Sequence, residues 1–135
     1  RRFSQVKTLV IQQDNGPENN SRRTQFVKRI VEFAHQYQLT VRLAYYPPYH
    51  SKYNPIEHCW GVLENHWNGD LLDEVETALR FARTMTWNGK RPVGNLITKT
   101  YPTGVKLNQK AMQALEDQIE RMPNLEKWFV DISVA

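Results

Sequence analysis

The stretch Thr8–Pro17, TLVIQQDNGP, decides the fold of this chain. It begins as a short apolar run with β-branched residues and ends in turn-forming residues. Such a run indicates a buried strand, which we predict from Lys7 to Gln12. Asp14 follows directly, so its carboxylate is expected at the carboxyl end of that strand.

The next segment predicts a helix and a second strand. Asn20 or Ser21 is a suitable N-cap for a helix that runs to about Gln38. Residues 40–45 then form a second β-branched run. A strand, helix and strand of this length is a crossover between parallel neighbours, so the predicted fold class is α/β. Asp14 would lie at the sheet edge where such folds place their sites. The apolar face of the helix comprises Phe26, Ile30, Phe33, Ala34 and Tyr37.

A second acid follows the proline pair 47–48, which is predicted to end the second strand. Asn54 is a suitable N-cap and Pro55 suits the first helical position, which makes Glu57 the third residue of a new helix. A turn role for Asp14 and a capping-box role for Glu57 are the ordinary alternatives. Carboxylates at a strand end and at a helix start can nevertheless meet, and converging carboxylates recruit Mg²⁺ or Mn²⁺. Together they predict a metal-dependent phosphoryl-transfer site.

Composition bounds the remaining possibilities. With 135 residues, 40% of them hydrophobic, the chain can bury one core. Cys59 is the single cysteine, so no internal disulfide forms. No apolar run of membrane-spanning length occurs, and a reducing, soluble compartment is expected. His58 and His66 are spaced too far apart along a helix to share a zinc ion. No Gly-rich phosphate loop or nucleophile elbow is present, which disfavours nucleotide hydrolysis and acyl transfer.

Charge is unevenly shared along the chain. Residues 1–52 carry nine lysines and arginines against three acids, whereas residues 53–135 carry nine against eleven. This asymmetry favours a polyanionic partner for the first part, although a merely basic protein is an equally open interpretation. Aromatic rings that stack on bases, beside cations that hold phosphates, suit a DNA-binding loop. The candidate DNA contacts are Arg22, Arg23, Lys28, Tyr49, His50, Lys52 and Tyr53.

Four motifs together resemble the catalytic domain of DDE transposases in the ribonuclease H-like, retroviral-integrase superfamily. The resemblance is strongest to the bacterial insertion-sequence family called the Rhodopirellula-type transposase, which is related to the mariner-like group. It runs over nearly the whole chain. The motifs are Asp14-x-Gly16-x-x-Asn19, Pro47-Pro48-x-x-Ser51-Lys52-x-Asn54-Pro55-Ile56-Glu57-His58, Asn65-x-Trp67-x-Gly69 and Tyr101-x-x-Gly104-x-Lys106.

The resemblance implies roles for these residues. Asp14 would be the second catalytic acid and Glu57 the third, each holding one of two Mg²⁺ (or Mn²⁺) ions. Asn54 and His58 would orient these metal ligands without binding the ions themselves. The implied chemistry is attack of water on a phosphodiester at a transposon end, and then attack of the freed 3′-hydroxyl on target DNA.

The resemblance also implies that parts of the enzyme lie elsewhere, because family members carry a first Asp on an earlier strand. We therefore expect a partial ribonuclease H-like fold, with the last two parallel strands and their helices at residues 1–70 and a helical C-terminal extension of the same domain at 71–135. The isolated chain is expected to be inert without the missing N-terminal half of the transposase. An unpaired strand edge would favour a homo-oligomer. A non-catalytic DNA-binding or oligomerising remnant is the alternative. The expected location is the bacterial cytoplasm, at the nucleoid, with no membrane partner.

Overall fold

Four strands and four α-helices form the described part of the chain, residues 3–47 and 49–134 of a computed structural model. The predicted α/β class is therefore confirmed. Pro48, one of the prolines predicted to end the second strand, lies outside the described residues. In chain order the elements are β1 Thr8–Gln13, α1 Thr24–Tyr37, β2 Thr40–Tyr45, a short 3-10 helix Ser51–Tyr53, α2 Pro55–His66, α3 Val75–Thr84, α4 Gln109–Glu116, β3 Ile119–Arg121 and β4 Phe129–Ile132.

The strands form one mixed sheet in the order β1-β2-β4-β3. β1 and β2 are parallel, with Thr8 opposite Thr40 and Gln13 opposite Tyr45, as the crossover predicts. β4 runs antiparallel to β2 and to β3. β1 therefore forms one edge of the sheet, and its outer side has no partner strand among the described residues.

The tail of the chain corrects the prediction of two strands followed by a helical extension. Within the predicted helical extension, α4 ends at Glu116, and β3 and β4 follow it. β4 adds to the free side of β2, where its β-branched residues Val130 and Ile132 become buried. Strands of three and four residues carry little periodic signal, and their partner is distant in sequence, so the pairing was missed.

Helix α1 covers one face of this sheet. It begins at Thr24, not after the predicted caps at Asn20 or Ser21, because those two residues belong to the turn before it. Its buried residues are Val27, Val31 and Ala34. Of the predicted apolar face, only Ala34 is buried. Phe26, Ile30 and Phe33 lie beside the buried face and pack against the core, and Tyr37 is exposed.

Strand β1 is less buried than predicted. Its residues alternate between exposed and half-buried, and Val10 is 51% exposed. The reason is its edge position, which leaves it one neighbouring strand, whereas Leu43 at the centre of β2 is fully buried. The sheet core is formed by Val41, Leu43, Tyr45, Ile119, Val130 and Ile132.

The chain divides into two compact units. One contains the chain up to Ser51 and from Pro102 onward, and the other runs from Lys52 to Tyr101. The second unit consists of α2, the shorter-than-predicted α3 and an extended segment, and Leu63 and Met85 are its buried apolar residues among those described. No helix in the described ranges is long and apolar enough to cross a bilayer. The predicted boundary at residue 70 stays a prediction about domain organisation.

Candidate functional site

Asp14 lies one residue beyond the carboxyl end of β1, as predicted, and its side chain is exposed. The Asn19 side chain folds back across the turn, and its Nδ2 donates to Asp14 Oδ1 at 3.1 Å. A neutral amide thus holds one of the two carboxylate oxygens of Asp14.

Gly16 gives this turn the room it needs. A Cβ atom at this position would lie 3.2 Å from Asn19 Oδ1 and 3.6 Å from both carboxylate oxygens of Asp14. A larger residue would therefore crowd the Asn19 amide oxygen, whereas its distance to the Asp14 carboxylate would be an ordinary van der Waals contact. The Asp14-x-Gly16-x-x-Asn19 pattern has a physical meaning: the Asp14 carboxylate and the Asn19 amide lie next to each other, and Gly16 leaves room for the amide.

Tyr45, the last residue of β2, fixes the far end of the turn. Its hydroxyl donates to the Asn19 backbone carbonyl at 2.7 Å. Burial raises the pKa of Tyr45 to about 12, so the hydroxyl keeps its proton and remains a donor at any ordinary pH. The Tyr45 ring is buried. Its hydroxyl bond could not be predicted from the sequence, since only the β1–β2 register brings Tyr45 level with Gln13.

Arg121 of β3 ties the same loop to the C-terminal part of the chain. Its guanidinium makes two bonds to the Glu116 carboxylate, at 2.9 and 2.7 Å. It also donates to the backbone carbonyls of Ser21 at 2.8 Å and of Glu126 at 3.1 Å. Ser21 is buried, and its hydroxyl donates to the Lys127 carbonyl at 3.4 Å. No sequence signal linked residues this far apart.

Replacing Arg121 by leucine is expected to lower the free energy of unfolding by about 2 kcal/mol, because two carbonyls and a carboxylate lose their donor in a mostly buried place. Urea unfolding followed by circular dichroism measures this. Arg42→Leu is the matched control, since Arg42 also binds a carboxylate twice, on Asp131, at 2.7 and 2.6 Å. Its side chain is 45% exposed against 19% for Arg121, so solvent screening should make its loss smaller. Equal losses in the two variants would contradict this account.

Glu57 is the third residue of α2, as predicted, and its side chain is exposed. Asn54 takes the extended N-cap conformation and is 7% exposed, but its side chain makes no capping bond. The Glu57 backbone N–H instead bonds the Asn54 backbone carbonyl at 3.0 Å. The side-chain bond from the cap residue that a capping box requires is therefore not formed. His58, the neighbour of Glu57, is exposed as well.

Asp14 and Glu57 belong to different compact units, so their convergence stays a prediction. Both are exposed carboxylates, and such hard oxygen donors fit Mg²⁺ or Mn²⁺. Over residues 3–47 and 49–134, no group of three or more His, Cys, Asp and Glu side chains could hold a metal ion. The two acids therefore suit the ion chemically, but the described residues do not supply a complete set of ligands.

The predicted tyrosine loop presents its rings to solvent. Tyr49 is 97% exposed and has a backbone φ of 66°, a left-handed conformation that bulky residues rarely adopt. The His50 backbone N–H bonds the Pro47 carbonyl at 3.1 Å. In the other unit, Tyr53 is 62% exposed, and Lys52 Nζ lies 5.2 Å from the centre of its ring. Both tyrosine rings are thus more than half exposed.

The basic residues near α1 are arranged differently from the prediction. Arg22 and Arg23 precede the helix instead of lying on its surface, and both are exposed. The Arg22 backbone N–H bonds Asn20 Oδ1 at 3.1 Å, which fixes the turn that carries them. Lys28 lies on the helix, with its Nζ 3.8 Å from the Glu32 carboxylate. Their cationic groups are thus spread over a turn and the first half of α1.

A family model described as the Rhodopirellula transposase DDE domain matches residues 1–134. No curated protein and no solved structure matches the chain significantly. Since the matched family covers almost the entire sequence, including both predicted acids, the chain belongs to the Rhodopirellula transposase DDE domain family.

Proposed function

We propose that this chain contributes the second and third acids of a DDE transposase that cleaves DNA and transfers the cleaved strand in transposition. Family membership supports a transposase-type function and implies DNA as a partner. The observation that carries the residue-level proposal is the placement of Asp14 at the carboxyl end of a parallel strand, with its carboxylate oriented by Asn19. That edge of an α/β sheet is where catalytic groups act.

DDE transposase domains generally use divalent metal ions. In this chain Asp14 and Glu57 would hold the Mg²⁺ or Mn²⁺ ions, two in the complete enzyme. Ions bound there would supply activation of the attacking oxygen and stabilisation of the leaving oxygen. Residues of the chain would hold and orient the metal-binding carboxylates. Asn19 donates to one oxygen of Asp14, and Asn54 and His58 lie near Glu57 at the start of α2.

The DNA would contact two surfaces. Tyr49 and Tyr53 would stack on unpaired bases at a transposon end, with His50 and Lys52 near the phosphates. Arg22, Arg23 and Lys28 would contact the phosphate backbone. The exposure of the two tyrosine rings supports this assignment. The cellular location we propose is the bacterial cytoplasm, at the nucleoid.

Activity would require a further carboxylate from the N-terminal half of the transposase. This follows from the chemistry, because two acids are fewer than a two-ion centre of this kind usually uses. The side of β1 that has no partner strand in residues 3–47 and 49–134 would accept a strand from that half, or from a second copy in a homo-oligomer. A strand edge with exposed Val10 supports such pairing.

The test is Mg²⁺-dependent nicking of a transposon-end duplex. The purified chain alone should leave the duplex intact, and adding the polypeptide encoded directly upstream should produce nicks. Efficient cleavage by the chain alone would refute the need for a further acid. If the chain binds DNA but never cleaves it, even with the added half, the chain is a non-catalytic DNA-binding remnant of a transposase. Denatured upstream polypeptide serves as the control.

A further inference from the structure

We propose that Tyr45 is a positioning residue for Asp14 and acts on it through Asn19. The inference rests on the proposed role of Asp14 in metal binding. Two hydrogen bonds connect the pair: Tyr45 Oη donates to the Asn19 carbonyl at 2.7 Å, and Asn19 Nδ2 donates to Asp14 Oδ1 at 3.1 Å. A ring of the sheet core thereby sets the place of an exposed carboxylate.

The core makes Tyr45 a rigid anchor. Its side chain is 4% exposed and packs within the cluster around Leu43 and Val130. A buried ring in a close-packed core has little freedom to move. The Asn19 backbone, and the amide that it carries, are therefore fixed relative to β2, although Asn19 itself belongs to a turn.

The Asn19 amide nitrogen donates to two side-chain oxygens, Asp14 Oδ1 at 3.1 Å and Gln13 Oε1 at 3.4 Å. Among the described residues, Asn19 Oδ1 is buried and accepts no hydrogen bond. Rotating the amide by half a turn would bring that oxygen against the Asp14 carboxylate, where two acceptors repel each other. The orientation that places the amide nitrogen beside Asp14 is therefore the favourable one.

The consequence for metal binding is specific. Asn19 occupies Asp14 Oδ1, which fixes the plane of the carboxylate. Groups that hydrogen-bond a ligating carboxylate orient it, and losing them typically weakens metal binding by about 10- to 100-fold. Tyr45 would contribute to this orientation without touching the ion or the DNA.

The test compares Tyr45→Phe with Tyr46→Phe. Each change removes one hydroxyl from neighbouring residues, but Tyr46 donates to Gln12 Oε1 at 3.2 Å, away from Asp14. The first readout is the NMR signal of the ¹³C-labelled Asp14 carboxyl and of the Asn19 side-chain amide, without metal. Tyr45→Phe should move both signals and Tyr46→Phe neither. A purely structural role for Tyr45 would leave the Asp14 carboxyl signal in place.

Asn19→Ala provides a second variant, because it keeps the Tyr45 bond to the backbone and removes only the amide. It should move the Asp14 carboxyl signal and weaken Mn²⁺ binding at Asp14, measured by paramagnetic broadening, by about 10-fold. The double variant Y45F/N19A should match N19A, since Tyr45 acts through Asn19. Should Tyr45→Phe fail to fold, N19A still tests the Asn19–Asp14 bond through which Tyr45 acts, and an unmoved Asp14 carboxyl signal in N19A overturns the inference.

An unchanged Asp14 carboxyl signal in folded Tyr45→Phe, or in N19A, overturns the inference. If the unaltered chain does not bind Mn²⁺ at Asp14, that result would instead count against the proposed metal role of Asp14. The NMR comparison needs neither metal nor DNA, so failure of the positioning inference and failure of the proposed function give different results.

Discussion

Asp14→Asn and Glu57→Gln are each expected to slow Mg²⁺-dependent strand cleavage by roughly 10³-fold or more in the active enzyme, assembled with the N-terminal half that we propose. Each change keeps the shape of the side chain and removes the negative charge that would hold a dication. A bound ion stabilises transition-state charge by several kcal/mol, and each 1.4 kcal/mol is about tenfold in rate. The single-turnover rate on a transposon-end duplex measures the effect.

Glu64→Gln is the matched control for Glu57→Gln, because Glu64 is an exposed glutamate of the same helix. It should leave the rate unchanged. Asp14→Asn and Glu57→Gln should also abolish Mn²⁺ binding, whereas neutralising Arg22, Arg23 and Lys28 should lower DNA affinity alone. A full cleavage rate in either acid variant would remove that residue from the proposed metal site.

Leu43→Ala is expected to lower the free energy of unfolding by about 3 kcal/mol, measured by urea unfolding. Leu43 is fully buried at the centre of β2, between β1 and β4. Deleting such a side chain removes its transfer free energy and leaves a cavity in a sheet that cannot fully collapse. The loss is a large fraction of the stability of a small domain.

Val10→Ala is the control for Leu43→Ala, because it also truncates an apolar side chain in the parallel pair. Val10 is 51% exposed on the edge strand, so its loss should stay below about 1 kcal/mol. Equal losses would mean that β1 is more deeply covered in solution than its exposure indicates, for example by self-association along its free edge.

The parallel β1–β2 pair, the crossover helix and the start of α2 were predictable because their signals are local. Apolar runs bounded by turn residues mark strands, and Asn54-Pro55 marks a helix start. The buried face of α1 was predicted only in part. Val27 and Val31 recur with helical spacing, but so do the residues chosen for the predicted face, and the spacing alone does not distinguish the two sets. The tail was mispredicted because Ile119 continues the helical spacing of Met112 and Leu115 but lies in β3.

The candidate site divides in the same way. Asp14 and Glu57 were found from their positions at element ends, and Asn19 belongs to the motif that carried the resemblance. The anchors Tyr45 and Arg121 were not found, because their partners lie 26 and 100 residues away in sequence. Such bonds depend on register and loop placement, which no short window of sequence contains.

By itself the sequence determined the α/β class, the parallel pair, the two exposed acids at element ends and the family of the chain, since each depends on local spacing or on a motif. Only the tertiary structure decided that β4 extends the sheet beyond β2, that β1 is its exposed edge, and that buried Tyr45 fixes the Asn19 turn beside Asp14. These features arise from pairing between distant segments, where burial and hydrogen-bond satisfaction select one arrangement among many that local sequence allows.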